Sequence, residues 1–295
     1  MQIGVVFPQT EIGADPAVIR DFAQTAENLG YHHILAYDHV IGANPASRPD
    51  WRPPYSHLDV FHEPFVLFGF LAGITKSIEL VTGIIILPQR QTVLVAKQAA
   101  ALDVLSGGRL RLGVGIGWNP VEYETLGANF HDRGRRCEEQ IDVIRRLWTQ
   151  NPITYEGHWH KIIDAGINPL PVQRPIPIWF GGSDDRALRR LARLGDGWFP
   201  LLGPDEKCRA MIEKVRAYAE EVSRDPQSIG IEGRITIGQD NGSKDTQETW
   251  LKQIEAWREL GATYVSVNTM KAGLATPSAH IEAIRRFREA MASIW

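Results

Sequence analysis

The chain has 295 residues, of which 43% are hydrophobic and 23% charged. These proportions are those of a soluble globular protein, and the length suits either one large α/β barrel or two smaller domains. The 32 basic and 35 acidic residues leave a net charge of −3. A charge this small produces no field that concentrates polyanions, so we expect neither nucleic acid nor a membrane as a partner.

The cysteines and the first residues indicate the cellular compartment. Cys137 and Cys208 are the only cysteines, and they lie far apart, without the Cys-x-x-Cys spacing of metal or redox sites. The opening segment MQIGVVFPQT lacks the basic and apolar regions of a secretory signal. The apolar run at 80–87 is too short to cross a bilayer. We therefore expect an unprocessed cytoplasmic protein.

Short segments rich in β-branched residues alternate along the chain with stretches of helical periodicity. The predicted strands are, in chain order, about 3–7, 33–37, 79–86, 110–116, 176–180, 197–200, 231–237 and 263–268. The predicted helices are about 16–29, 64–76, 91–105, 132–149, 184–195, 204–224, 245–260 and 277–293. This alternation predicts a parallel sheet, and eight units close into a (β/α)8 TIM barrel. We therefore predict one barrel domain over residues 1–295 rather than a doubly wound sheet.

Two connections are longer than usual for a barrel of this kind: 41–63, after the second strand, and 151–175, before the fifth. The first contains Trp51, Tyr55 and Phe61. Uncharged aromatic side chains are costly to leave in water, which favours a lid over the C-terminal mouth of the barrel. The alternative is an ordinary excursion over the surface.

The glycine run GVGIGW at 113–118 follows a predicted strand and invites comparison with a dinucleotide-binding turn. The G-x-G-x-x-G pattern needs glycine where Trp118 or Pro120 stands, so the run does not fit it. Two interpretations stay open. The glycines either let a flat ring lie against the backbone at the mouth, or let strand and helix pack closely.

Gly181, Gly182 and Ser183 follow a predicted strand and open a predicted helix. Backbone N–H groups at a helix start favour a phosphate. The same residues, with Ser183 as the N-cap, also suit an ordinary helix start. The basic runs at 133–136 and 186–193 alternate with apolar and acidic residues, which predicts a mostly solvated face for their charges.

Asp38 and His39 end the second predicted strand, on the face where barrels collect catalytic groups. A histidine there serves as a general acid or base, and the adjacent carboxylate is available to set its tautomer or to bind a ligand. The alternative is a capping aspartate and a structural histidine. His158 and His160 lie two residues apart in the hairpin-like stretch YEGHWHKI, but no third ligand stands at a recognisable spacing, so we predict no metal site.

Four segments together resemble the luciferase-like monooxygenase (bacterial luciferase) superfamily. They are DHV at 38–40, ELVTGIIILPQRQTVLVAKQAAALDVLSGGRLRLGVGIGW at 79–118, VEYETLG at 121–127 and PIWFGGSDDRALRRLARLGDGWFP at 177–200. The chain is most similar to the branch that uses the deazaflavin coenzyme F420 rather than FMN.

The resemblance implies a barrel whose mouth holds a flavin or deazaflavin, with His39 as the catalytic residue at the reactive side of the ring. It implies a non-prolyl cis peptide bond at Gly83-Ile84, and it places the phosphate at Gly181, Gly182 and Ser183. The remaining cofactor-binding residues that it implies are Asp38, Thr82, Gly113, Glu122 and Arg133.

One departure from the family bears on the substrate. Sugar-phosphate dehydrogenases of the F420 branch carry a catalytic glutamate after the glycines of the fourth strand, where this chain has Trp118. The sugar-phosphate substrate is therefore not carried over. Trp51, Tyr55 and Trp118 predict an apolar or planar substrate instead.

The resemblance implies an oxidoreductase that passes a hydride between F420 and a small organic substrate. One alternative is an FMN-dependent two-component monooxygenase that uses O2 and a flavin reductase partner; another is a flavin- or deazaflavin-binding protein without turnover. The anionic tail of F420 favours arginines, for which Arg48, Arg52 and Arg90 are candidates. Members of the family are often homodimers, and the apolar helix at 64–76 suits such an interface.

Overall fold

A computed structural model describes residues 1–48, 54–237 and 246–292. The strands in these ranges are β1 (Gln2–Val6), β2 (His33–Ala36), β3 (Glu79–Thr82), β4 (Ile85–Ile86), β5 (Leu110–Gly115), β6 (Ile153–Glu156), β7 (Lys161–Ala165), β8 (Ile178–Gly181), β9 (Gly197–Phe199), β10 (Gly230–Thr236) and β11 (Tyr264–Asn268). The helices in the same ranges are α1 (Pro16–Asn28), α2 (Pro64–Ile74), α3 (Thr92–Ser106), α4 (Pro120–Thr125), α5 (Arg133–Thr149), α6 (Asp185–Leu194), α7 (Glu206–Glu221), α8 (Gln247–Glu259) and α9 (Pro277–Ala290).

The parallel strands close into a barrel. Their order is β3-β2-β1-β11-β10-β9-β8-β5-β4, and β3 also pairs with β5, with Leu80 opposite Leu110. Because β3 and β4 share one position, the described strands fill the eight positions of a barrel. The predicted (β/α)8 TIM barrel is confirmed.

The third barrel position is broken, so the prediction of one continuous strand over 79–86 is wrong. β3 ends at Thr82, β4 begins at Ile85, and the peptide bond between Gly83 and Ile84 is cis. A Cβ on Gly83 would lie 2.2 Å from Cδ2 of Leu35, so any larger residue at this point of the barrel would require the buried Leu35 side chain to move.

Side-chain caps begin several helices where the sequence predicts them. The Asp15 carboxylate accepts a hydrogen bond from the Ala17 N–H, and the Glu63 carboxylate accepts one from the Val66 N–H. A proline follows each cap, at the first helical position, where no N–H is needed. In the described ranges, no helix is both long enough and apolar enough to cross a membrane.

The core has two parts. A large apolar layer fills the space between the strands and the surrounding helices. A smaller cluster lies inside the barrel and contains Val6, Leu35, Val81, Trp179, Phe199 and Met270. This inner cluster closes the barrel below its C-terminal mouth, so a ligand at the mouth rests on an apolar floor.

The long connection at 151–175 contains the antiparallel hairpin of β6 and β7. His158 and His160 lie in its turn, in agreement with the hairpin-like stretch that the sequence predicts here. Nδ1 of His160 lies 2.8 Å from the Glu139 carboxylate, and Nε2 lies 2.5 Å from the Thr92 hydroxyl. Both ring nitrogens of His160 are therefore engaged in holding the hairpin against the barrel.

Candidate active site

Most residues singled out in the sequence lie at the C-terminal mouth of the barrel. Asp38 and His39 follow β2, Gly83-Ile84 separates β3 from β4, and Gly181 ends β8. Because parallel barrel strands end at one rim, these residues meet at the same face.

Ile84 packs against glycines of two other strands. A Cβ on Gly115 would lie 2.6 Å from Cδ1 of Ile84, and one on Gly181 would lie 3.3 Å from its Cγ2. A Cβ on Gly113 would lie 1.9 Å from the carbonyl oxygen of Thr82, whose hydroxyl donates to the Gly113 carbonyl at 2.8 Å. Close packing of neighbouring strands therefore accounts for these glycines, and contact of Thr82 and Gly113 with a ring stays a prediction.

The Asp38 carboxylate is buried below the mouth. Its Oδ2 accepts from the Ile86 N–H at 3.0 Å, and its Oδ1 accepts from Nη2 of Arg90 at 2.8 Å. Burial raises the pKa of Asp38, and the Arg90 guanidinium opposes this rise. Asp38 thus fixes β4 in place, and both of its oxygens are occupied by partners other than His39.

Arg90 is a structural cation rather than a surface one. Its Nη1 donates to the Glu63 carboxylate at 2.7 Å while Nη2 donates to Asp38, and its side chain is 13% exposed. The expectation that Arg90 contacts an anionic cofactor tail is therefore corrected, because both acids already neutralise it. Arg48 is exposed and contacts Ser47, and Arg52 lies outside the described residues.

His39 is held by Glu122. Its Nδ1 lies 2.9 Å from Oε1 of Glu122, a fully buried residue whose Oε2 accepts from Nε2 of Gln89 at 3.3 Å. An ionised carboxylate only accepts hydrogen bonds, so Nδ1 of His39 is the donor. This leaves Nε2 to exchange a proton with a molecule in the adjoining cavity.

Aromatic side chains surround the ring of His39. The ring centroids of Phe61, Tyr55 and Trp118 lie 4.8, 5.0 and 6.0 Å from that of His39. These four side chains line a cavity of about 260 Å³ together with residues of the 41–63 connection. The described part of this connection thus covers one side of the mouth, as a lid would, and Trp51 lies outside the described residues.

Gly181, Gly182 and Ser183 connect β8 to α6 at the rim. Gly182 has φ of +112°, a conformation that favours glycine. The N-cap of α6 is Asp184, whose carboxylate accepts from the Ala187 N–H, so the assignment of Ser183 as N-cap is wrong. Ser183 is exposed. Because Asp184 caps the helix, the Ser183 hydroxyl is not needed as a cap and is available to a ligand.

A second cavity, of about 700 Å³, lies beside this turn and is called the arginine cleft below. Six arginines of α5 and α6 line it: Arg133, Arg135, Arg186, Arg189, Arg190 and Arg193. The two basic runs therefore face each other, whereas the sequence predicted a mostly solvated face for both.

Some cations of the arginine cleft lack an acidic partner. Arg190 and Arg193 share Glu138, and Arg189 pairs with Asp185 and Glu221. Among the described residues, no acid pairs with Arg135 or Arg186. Nε of Arg133 is buried without a hydrogen-bond partner there, although its Nη1 donates to the Phe130 carbonyl at 2.6 Å. The cleft therefore has unused capacity for an anion.

A polar layer closes the opposite end of the barrel. Arg111 donates to Glu232 at 2.6 Å, and Glu232 also lies 2.9 Å from Nε2 of His33. His32, His33 and Glu79 bring three potential metal ligands together there. Because Arg111 already lies 2.9 Å from the Glu79 carboxylate, this group is an ion-pair network, and we assign it no metal.

Sequence reasoning missed the links between these residues. It singled out His39 and Glu122 separately, but their separation of 83 positions in the sequence concealed their contact. It also passed over Glu63 and Gln89, which position Arg90 and Glu122. The sequence signal that could have identified Glu63 and Gln89 is their position next to segments that end at the mouth of the barrel.

Comparisons with known proteins bear on the whole barrel. A sequence model of the family described as luciferase-like monooxygenase matches residues 1–259. An uncharacterised protein of Mycobacterium tuberculosis is 34% identical over 223 residues, which cover 74% of this chain and 77% of that protein. The FMNH2-dependent dimethylsulfone monooxygenase of Pseudomonas putida is 30% identical over 204 residues, or 68% of this chain and 53% of that enzyme.

Solved structures share the fold. Monooxygenase RslO1 from Streptomyces bottropensis superposes with a TM-score of 0.80 at 19% identity, over 99% of each chain. An F420-dependent secondary alcohol dehydrogenase, solved with an F420-acetone adduct, gives 0.77 at 18% identity, over 100% of this chain and 99% of that one. At these identities, the likeness concerns the fold alone.

Proposed function

The chain belongs to the luciferase-like monooxygenase family, and from that premise we propose that it is an oxidoreductase that binds coenzyme F420 at the mouth of its barrel. It transfers a hydride between this deazaflavin and a small organic substrate. The observation that carries the proposal is the His39–Glu122 pair, which uses Nδ1 of a histidine that lines a cavity together with aromatic side chains.

The residues at the rim fit an anionic cofactor. Gly181, Gly182 and Ser183 offer backbone and hydroxyl groups for a phosphate. The buried Nε of Arg133 lacks a partner among the described residues and belongs to the adjoining cleft. Since an unpaired buried donor is costly, a bound anion supplies the partner that this guanidinium lacks.

The arginine cleft favours F420 over FMN. FMN ends at its phosphate, whereas F420 continues into an anionic lactyl-glutamate tail. The cleft begins beside the Gly181–Ser183 turn and holds Arg135 and Arg186 without acidic partners in the described ranges. A ligand that continues beyond its phosphate would have these cations as partners, whereas FMN carries no group beyond its phosphate.

The residues of this chain divide the remaining work. When bound, F420 supplies or accepts the hydride. His39 gives a proton to the substrate, or takes one from it, through Nε2, and Glu122 keeps that nitrogen directed to the cavity. Tyr55, Phe61 and Trp118 exclude water from the same cavity and contact the apolar part of the substrate.

One observation favours an FMN-dependent monooxygenase as the second candidate. The Pseudomonas putida relative, at 30% identity, is FMNH2-dependent. Such an enzyme would use O2 and a reductase that delivers reduced flavin. The third candidate, a binding protein without turnover, is less favoured because a cavity of about 260 Å³ stays open beside His39.

Equilibrium titration of the protein with F420 and with FMN, followed by cofactor fluorescence, tests the proposal. We expect micromolar or tighter binding of F420, weaker binding of FMN, and loss of F420 binding in Ser183→Asp, since a carboxylate repels the phosphate. Ser228→Asp is the matched control, because Ser228 is exposed before β10, at the opposite face of the barrel. Binding of FMN alone would support the monooxygenase, and binding of neither would contradict both proposals.

A further inference from the structure

Two cations near the mouth belong to neither the phosphate turn nor the arginine cleft. Arg234 lies on β10, two residues after Glu232. Glu232 reaches His33 across the barrel, so its side chain points inward, and strand geometry points Arg234 to the same side, one layer nearer the mouth. Lys271 follows β11, the neighbouring strand.

Both cations contact tyrosines rather than acids. Nη1 of Arg234 donates to the Tyr37 hydroxyl at 3.1 Å, and Nζ of Lys271 lies 5.6 Å from the ring centroid of Tyr55. The charge of Arg234 also acts on Tyr55, so the two cations share this neighbour. Both are exposed, and among the described residues neither has an ion pair.

Two described carboxylates near these cations, those of Glu11 and Asp59, bind groups other than the two cationic side chains. Glu11 accepts from the backbone N–H of Lys271 at 2.8 Å and lies 3.3 Å from Nε2 of His280. Asp59, which acts on Tyr55, accepts from the N–H and hydroxyl of Ser56 at 2.7 and 3.0 Å. Arg234 and Lys271 thus both lie beside Tyr55, and neither side chain forms an ion pair with a described acid, an arrangement that attracts an anion.

Tyr55 connects these cations to the candidate catalytic histidine. Its ring lies 5.0 Å from the ring of His39, and the ring of Phe61 lies 4.8 Å from each of them. A molecule with its apolar part beside His39 can therefore place a charged end against Arg234 and Lys271 without leaving the mouth.

We propose that the substrate is a small aromatic or apolar anion whose carboxylate or phosphate is bound by Arg234 and Lys271 while its body lies beside His39. This inference deepens the proposed function and rests on it, because the bound anion is a substrate only if the protein is an oxidoreductase. The proposed site of the cofactor phosphate follows β8, which β9 separates from β10 in the sheet. The two anionic groups therefore have separate sites.

Calorimetric titration of the full chain with benzoate, phenyl phosphate and benzamide tests this inference. Benzamide has the shape of benzoate without its charge. We expect one of the two anions to bind at least about tenfold more tightly than benzamide, because a guanidinium and an ammonium both bind it. The tighter of the two identifies the anionic group as carboxylate or phosphate.

Variants assign the preference to the two cations. Arg234→Gln and Lys271→Gln should each reduce it, and the double variant should abolish it while leaving benzamide binding unchanged. Lys252→Gln, on the exposed face of α8, should keep the preference of the unsubstituted protein. Circular dichroism of each variant checks that it is folded, and the single variants serve if the double one is not.

An affinity ratio near one in the unsubstituted protein, no measurable binding of either anion, or an unchanged ratio in the folded variants would overturn the inference. F420 titration of the same variants separates it from the proposed function. Unchanged F420 affinity with a lost anion preference supports both proposals. A retained anion preference in a protein that binds no F420 would leave the anion site standing and contradict the proposed cofactor.

Discussion

One hydrogen bond gives the imidazole of His39 its direction. With Nδ1 donating to the buried carboxylate of Glu122, the ring cannot turn its other nitrogen away from the cavity without losing a charge-assisted bond. The sequence predicted His39 as a proton donor and Asp38 as the carboxylate beside it. The structure gives Asp38 to Arg90 and Ile86 instead.

Substitution of His39 and Glu122 tests their roles. We expect His39→Ala to lower turnover about 10²- to 10⁴-fold, the usual contribution of a positioned acid or base, and to change cofactor affinity only a few-fold. Glu122→Gln should lower turnover about 10- to 100-fold, since the imidazole loses its charged acceptor. Steady-state kinetics with a substrate of the unsubstituted protein measure both, and His158→Ala, in the exposed turn of the hairpin, is the control. Unchanged turnover in His39→Ala would remove this residue from the mechanism.

At the scale of elements, periodicity predicted the order of strands and helices because each barrel strand is apolar and each helix has one buried face. The break between β3 and β4 was not predictable in this way, since ELVTGIII has the same apolar pattern whether continuous or broken. The arginine cleft was also missed. A basic run shows its charge in the sequence but not which other helix it faces.

The close contact of β5 with β3 makes a prediction about stability. Gly113→Ala would place a methyl group 1.9 Å from the Thr82 carbonyl oxygen and 2.9 Å from the Phe199 ring. We expect a loss of about 1–3 kcal/mol in the free energy of unfolding, because the strands must separate. Urea unfolding measures it. Gly203→Ala, in open space in a loop, should stay within about 0.5 kcal/mol, and an equal effect of both changes would contradict the packing account.

At the scale of the whole molecule, the barrel is polar at its base and apolar below its mouth. The base holds Arg111 between the rings of Trp179 and Tyr264, at 4.4 and 4.2 Å from their centroids. It also holds the Arg111–Glu232–His33 contacts. These buried charges join strands on opposite sides of the barrel and are remote from the mouth, so we expect them to affect folding rather than chemistry.

The ion pairs of Glu232 predict how stability depends on pH. Burial alone would raise the pKa of Glu232, but His33 and Arg111 lower it from 4.5 to about 2. A lowered carboxyl pKa stabilises the folded state above pH 4.5, and this contribution disappears as the pH falls through about 2. Glu232→Gln should lose about 3 kcal/mol near neutral pH, since Arg111 keeps only one acid, and should flatten this acid dependence.

Denaturant unfolding at a series of pH values between about 7 and 3 compares Glu232→Gln with the unsubstituted protein. Glu248→Gln is the control because its pair with Lys252 is exposed, and exposed pairs contribute little. If the free energy of unfolding of the Glu232 variant and that of the unsubstituted protein changed in parallel over this pH range, the lowered pKa assigned to Glu232 would be contradicted.

An apolar surface on α2 and α3 suits a second copy of the chain. Val66, Phe70, Leu94 and Leu105 are 72, 42, 51 and 72% exposed there, and burying them against a copy of the same face removes them from water. We propose a homodimer through these helices. Sedimentation should give twice the chain mass of 33.1 kDa, and Val66→Glu should give monomers. A monomeric unsubstituted protein would contradict this proposal.

A crystal structure of the protein with the cofactor that the titration selects tests whether the mouth of the barrel is the redox site. We expect the ring at the C-terminal mouth, beside the cavity of His39, Tyr55 and Trp118, and the phosphate against Gly181–Ser183. A ring bound away from His39, or a phosphate held elsewhere, would contradict the assignment of this mouth as the redox site.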